Sequence, residues 1–216
     1  MPTITVWSDI GCPWAHVAVA RLHRTRHALG LDDEVRFDHH AFPLELFNEE
    51  PQSKEHFDAE TPVLGGVEPD AGWQLWQAPL WHWPASTLPA LEAVQAAKEQ
   101  GPEAGEQLDR ALRKALFAES RCISLRPVIL DVAGRCPAVD PAILADALDS
   151  GTARRTVMDD FERASAADVK GSPHVFLPDG SGMHNPGLAF EWQGAVLRIT
   201  EDEPGVYEEL LVGATR

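Results

Sequence analysis

At 216 residues the chain can bury a substantial core without disulfides, and 44% hydrophobic with 24% charged residues place it among ordinary globular proteins. Eighteen Lys and Arg against 34 Asp and Glu give a formal net charge of −16, which repels a phosphate backbone or an anionic membrane over most orientations. Nucleic acid and membrane are therefore not expected partners. No basic stretch followed by an apolar run opens the chain, and no apolar run is long enough to span a bilayer, so a cytoplasmic location is expected. The three cysteines, Cys12, Cys122 and Cys136, are odd in number and widely spaced. They fit neither a secreted disulfide framework nor a zinc site, and leave at least one thiol free.

In chain order, Met1 to Trp7 alternates as a first strand, with Ile4 and Val6 on one side and Thr3 and Thr5 on the other. Ser8-Asp9-Ile10-Gly11 turns the chain, and Pro13 suits the first turn of a helix, where its missing amide would be unpaired in any case. Cys12 then sits at a helix N-terminus, where free N–H groups and the helix dipole favour thiolate over thiol. The helix runs on one apolar face to Gly30, and Val35 to Phe42 alternates again as a second strand. Strand, helix, strand is a βαβ unit with its cysteine at the C-terminal end of the first strand, a common place for an active site in open α/β sheets.

From Pro43 to about Gly72 prolines, glycines and acids predict a long surface loop with one short helix at most. Trp73, Trp76, Trp81 and Trp83 follow. Either these indoles pack an irregular loop against the domain, or Trp81 and Trp83, with His82 beside them, line a substrate groove next to Cys12. Helical periodicity covers 88–99, 106–119, 127–134 and 141–148, the last with Asp140 as N-cap. Four helices without a strand signal read as an insertion, and a further helix over 153–166 returns the chain to the first domain. His174 to Leu177 is a short strand, Pro178 to Gly182 supplies turn chemistry for a hairpin, 188–200 is ambiguous, and 202–211 reads as a closing helix.

Cys12-Pro13-Trp14-Ala15 at a helix start and Val169-Lys170-Gly171-Ser172-Pro173 before a hairpin, with helices between, resemble the DsbA-like thioredoxin-fold oxidoreductases, in particular the FrnE-like branch, over essentially the whole length. The resemblance implies an α/β, thioredoxin-like fold: a central mixed sheet flanked by helices, with a helical domain inserted between its two halves. Residues 1–45 would form the first half, 46–150 the loop and insertion, and 151–216 the second half. It also implies that Pro173 is cis, and that Ser172-Pro173 lies against the cysteine to bind an extended peptide or a thiol. Dithiol members carry a second cysteine where this chain has Ala15, so the usual active-site disulfide cannot form.

The catalytic candidates are accordingly Cys12, Pro13, Trp14 and His16, and the substrate-binding candidates Ser172, Pro173, Trp81 and Trp83. His16, one turn into the helix, is a candidate to tune the thiolate or shuttle a proton; His39, His40 and His174 are others that could approach the site. Asp9 would shift the thiol according to its burial. Three readings stay open. In the first, Cys12 is a monothiol that attacks a disulfide and is released by an external thiol, or by Cys122 or Cys136. In the second, as kappa-class glutathione transferase and hydroxychromene-carboxylate isomerase share the architecture, the residue at position 12 activates a thiol cofactor. In the third, the redox site has decayed and the scaffold binds a partner. No tightly bound cofactor and no metal are expected; a low-molecular-weight thiol, mycothiol or glutathione, is the candidate co-substrate. Partners are a thiol or disulfide, small molecule or extended peptide, and a homodimer is compatible with an apolar patch in the tryptophan-rich region.

Overall fold

β1 (Thr3–Ser8) pairs in parallel with β2 (Arg36–Ala41), and the chain crosses between them through α1 (Pro13–Ala28). The alternation in both strands directs Ile4, Val6 and Phe37 into one core, where they meet Ala18, Val19 and Leu22 of α1. In this computed structural model, which describes residues 1–166 and 168–216, the helix ends with Gly30 at φ +70°, a left-handed conformation that glycine adopts without Cβ strain.

The rest of the sheet comes from the far end of the chain. β3 (His174–Phe176) runs antiparallel to β1, and β4 (Gly182–His184) antiparallel to β3, giving the order β2-β1-β3-β4. α9 (Val206–Ala214) covers the α1 side, with Tyr207, Leu210 and Leu211 closing that core. This mixed sheet is the thioredoxin-like arrangement expected. The ambiguous stretch is a separate hairpin, β5 (Leu188–Gln193) with β6 (Val196–Asp202), turned at Gly194, where φ is +65°.

Between the halves lie α4 (Leu88–Lys98), α5 (Pro102–Phe117), α6 (Arg126–Ala133), α7 (Pro141–Ser150) and α8 (Thr152–Ala166). Asp140 caps α7 as its sequence predicts, accepting from the amides of Ala142 and Ile143. Leu91, Leu108, Leu112, Leu116, Ile129, Leu144 and Val157 make one core that also takes in Ile10 and Ala41 of the sheet domain, so the insertion is packed onto the sheet.

One expectation needs correction. The segment 43–72 is not mainly loop: it holds a short turn α2 (Leu44–Phe47) and the 14-residue α3 (Lys54–Val67). Pro62 and the Gly65-Gly66 pair argue against a helix locally, but buried Phe57, Thr61 and Leu64 recur at helical spacing and Ser53 caps the start through the His56 amide. Packing outweighs propensity here. Among the described residues no helix is long and apolar enough to cross a membrane.

Candidate active site

Cys12 is the N-cap residue of α1, extended at φ −77° and ψ 117°, with Pro13 opening the helix. Its side chain is only 3% exposed. The Ser172–Pro173 peptide is cis, and the Cys12 Sγ–H donates to the Ser172 carbonyl oxygen at 3.2 Å. Ser172 is fixed in turn, since its Oγ accepts from the Asp9 amide at 2.9 Å. Cys12, Pro13, Trp14 and Ser172 are thus brought together on a cavity of about 210 Å³.

The floor of the site is a buried polar network. Asp9 accepts from the Gly11 amide at 2.7 Å, the Leu44 amide at 2.9 Å and the Thr87 hydroxyl at 2.9 Å, tying three segments together. Burial nevertheless raises its pKa, against these hydrogen bonds and the nearby Arg113. Arg113 of α5 donates to the carbonyls of Asp9 at 2.9 Å and Ile10 at 3.5 Å, to Ser8 Oγ at 2.7 Å, and to both oxygens of Asp109. Glu45 carries the N-terminus of α4, accepting from Ser86 Oγ and from the Thr87 and Leu88 amides. The Gln52 side chain donates to the Gly11 carbonyl, and a Cβ at position 11 would run into Gln52 and the Thr87 methyl, so the close approach requires glycine.

Glu60 on α3 faces the same cavity and accepts from Trp14 Nε1 at 3.2 Å, while the Trp14 indole stacks on Phe190 of β5 at 4.1 Å between ring centroids. Burial raises the Glu60 pKa. Together these surroundings reverse the expectation from the helix start. Burial pushes the Cys12 thiol up to about 11, the Glu60 and Asp9 carboxylates push the same way, and hydrogen bonds from Ser172 and the Ala15 backbone oppose without winning. The resting group is a thiol.

His16 turns away from it. Its ring stacks on Phe117 at 4.4 Å, its Nε2 lies 3.3 Å from the Gly72 carbonyl, and it is absent from the wall of the Cys12 cavity. Burial, then the Arg113 charge, lowers its pKa to about 4, so it is neutral at physiological pH. Of the tryptophans, Trp81 is 82% exposed on a 3-10 turn, and Trp83 packs on Phe57 and Trp76 with its Nε1 donating to the Gln52 carbonyl. Neither lines the cavity; Trp83 supports Gln52 from behind. His40 is held between Asp160 and Asp38, His39 is buried by Asp109, and His174 stacks on Phe176 while its Nδ1 accepts from the Lys170 amide. Cys122 and Cys136 are free and do not line the cavity. Among the described residues no cluster of three or more His, Cys, Asp or Glu is arranged to hold a metal.

Sequence reasoning missed Arg113 and Glu60. The readable signal for Arg113 was Asp109 and Arg113, a charged pair one turn apart flanking the apolar stripe Leu108, Leu112 and Leu116. Glu60 was hidden by the loop assignment.

A search of curated proteins returns no match. Among solved structures, a probable DsbA oxidoreductase from Streptomyces coelicolor is 21% identical, with TM-score 0.71 over 99% of this chain and 90% of that one. The cytosolic disulfide reductase DsbM from Pseudomonas aeruginosa is 15% identical, with TM-score 0.67 over 98% and 97%, and has also been solved with GSH. A 2-hydroxychromene-2-carboxylate isomerase is 17% identical, with TM-score 0.57 over 84% and 87%. These likenesses establish the fold. The model of the DSBA-like thioredoxin domain matches residues 3–195, and with cis-Pro173 set against a helix-start Cys12 the chain belongs to that family.

Proposed function

We propose that the protein is a thiol-disulfide oxidoreductase of the FrnE-like kind that works in the cytoplasm as a monothiol through Cys12. The observation that carries this reading is the Cys12 Sγ at 3.2 Å from the Ser172 carbonyl, on an open cavity, with the fully buried Ala15 in the place of a resolving thiol. The Cys12 thiolate attacks one sulfur of a disulfide R–S–S–R′. The Cys12–S–S–R bond forms as the old S–S bond breaks, and R′–S⁻ takes up the proton that Cys12 gave up. An external thiol R″–SH then attacks, leaves as R–S–S–R″ and returns Cys12 to the thiol. Three free cysteines suit a reducing compartment.

A thiol near pKa 11 is scarce as thiolate at neutral pH and a poor leaving group once in a mixed disulfide, so the adduct should accumulate. Mass spectrometry after exposure to oxidised glutathione or mycothiol disulfide tests this. One adduct on Cys12, reversed by free thiol and absent in Cys12→Ala, is expected. No adduct, or a disulfide from Cys12 to Cys122 or Cys136, would overturn the monothiol cycle.

One observation favours a second reading. Because burial keeps Cys12 protonated, its S–H can donate a hydrogen bond to the thiolate of a bound glutathione or mycothiol, as a transferase or isomerase dependent on such a cofactor requires. Cys12→Ser separates the two: a serine hydroxyl can still donate, so cofactor-dependent turnover survives, whereas disulfide exchange is lost.

A further inference from the structure

The cavity at Cys12 is not the only concave surface of the molecule, and a second one is larger. A cleft of about 820 Å³ runs along the stripe His16, Ala20, His23 and His27 of α1, facing α5, and shares only its inner end, through Arg113, with the network beneath the thiol. Six of the eighteen Lys and Arg line it, Arg24, Arg26, Arg110, Arg113, Lys114 and Arg135, against three acids, Asp32, Glu68 and Asp70. Two of those acids are already paired, Asp32 with Arg26 and His27, and Glu68 with Arg21 and Arg24. Of the six, Arg24 is ion-paired with Glu68, Arg26 with Asp32 and Glu106, Arg113 with Asp109 and Arg135 with Asp131, which leaves Arg110 and Lys114 as the cations of this wall without an acidic partner among the described residues.

Two features show that this wall lacks a counterpart. Arg110 and Lys114, one helical turn apart on α5, make no hydrogen bond or ion pair among the described residues, while Arg113 between them is taken up by Asp109. His23 is 6% exposed, and Arg26 donates to its Nδ1 at 3.2 Å, which places the ring proton on Nε2. That buried Nε2–H has no acceptor. An unsatisfied buried donor is costly and calls for a missing acceptor. Burial and then the Arg110 and Arg26 charges hold His23 neutral, well below its ordinary pKa, consistent with a positive field in the cleft.

We propose that this cleft binds a phosphate-bearing organic molecule of nucleotide size, its phosphate on Arg110 and Lys114, with His23 Nε2–H supplying a further donor. Val19, Ala111 and Pro137 offer the apolar surface for its body, and the volume lies within the roughly 300–1,000 Å³ of ordinary ligand sites. A polymeric anion is disfavoured because its charges beyond the cleft meet the acidic surface. A small one experiences chiefly the charges within a screening length of about 8 Å.

The test is isothermal titration with pyrophosphate, AMP and citrate against the wild type and the double variant Arg110→Gln, Lys114→Gln, both exposed positions that leave the core untouched. Pyrophosphate and AMP should bind, the double variant should weaken both by at least about tenfold, the cost of one lost charged hydrogen bond, and the ¹⁵N signal of His23 Nε2 should move on binding. Absence of binding, affinity unchanged in the double variant, or an unmoved His23 signal would overturn the site. Citrate binding more tightly than pyrophosphate would overturn the phosphate assignment.

Discussion

Arg113 in the helical insertion donates to the backbone carbonyl of Asp9 at 2.9 Å, across 104 residues of sequence, three positions before the candidate nucleophile. The insertion is therefore part of the site's foundation as well as its cover. The guanidinium is 1% exposed, and its donors satisfy a carboxylate, a hydroxyl and two carbonyls at once. Arg113→Ala leaves Asp109 buried without its guanidinium partner, with only the His39 ring 3.7 Å away, and should cost about 3–5 kcal/mol in urea unfolding. Arg113→Lys keeps the charge but not the planar fork, so it should recover only part of that loss.

Cys12 reactivity should follow its surroundings rather than its place at a helix start. With a thiol near pKa 11, the alkylation rate should keep rising about tenfold per pH unit from pH 7 to 10, without a plateau near 8.5. Glu60→Gln removes a carboxylate that raises that pKa and retains an acceptor for Trp14, so alkylation at pH 8 should become severalfold faster. The folded pKa lies above the unfolded one. The stability it gives is therefore complete below about pH 9 and is lost as pH climbs through about 11, on the order of 3 kcal/mol. Tyr207, raised by burial, adds to this slope at higher pH. Cys12→Ala should flatten the part between 9 and 11 in alkaline denaturation.

The helix start at Pro13 and the chemistry of Cys12-Pro13-Trp14-Ala15 are legible because they are local: a turn, a proline at the first position, a cysteine before it. Ser172-Pro173 is legible only through a family resemblance, since nothing within five residues of a proline specifies which strand end it will face. The polarity of the thiol was not legible. It depends on Glu60, carried by a helix that Pro62, Gly65 and Gly66 conceal, and on burial beneath Ser172 and Trp14, both set by tertiary packing. Trp81 and Trp83 illustrate the same limit, because only two positions of chain separate an exposed indole from one packed on Phe57.

Ala15 lies fully buried on α1 one turn from Cys12, where a cysteine adds a single heavy atom and so disturbs the packing less than a larger side chain would. Ala15→Cys should form a disulfide between Cys12 and the introduced thiol with mild oxidant, seen by mass spectrometry as the loss of two hydrogens. The variant should also reduce insulin without an external thiol in the resolving step. A mixed disulfide that persists on Cys12 in this variant would mean that the site cannot bring the second sulfur into line.

On the acid side the decisive group is His16. Burial, with Arg113 beside it, takes its pKa from 6.5 to about 4, so the folded protein keeps it neutral while the unfolded chain protonates it. The unfolded state binds the extra proton, so stability is complete above about pH 6.5 and falls as the pH drops toward 4, by on the order of 3 kcal/mol from this residue. His23 and His39, also lowered by burial, pull in the same direction. His16→Phe keeps the stack on Phe117 and removes the titration, at the cost of the contact to the Gly72 carbonyl. It should therefore be somewhat less stable at pH 7 yet lose less between pH 7 and pH 4.5, read from urea midpoints at the two values. Disulfide exchange at Cys12 should be retained in that variant, because the ring faces Phe117 and Trp73 and not the thiol; a loss of exchange with folding intact would return His16 to the catalytic set.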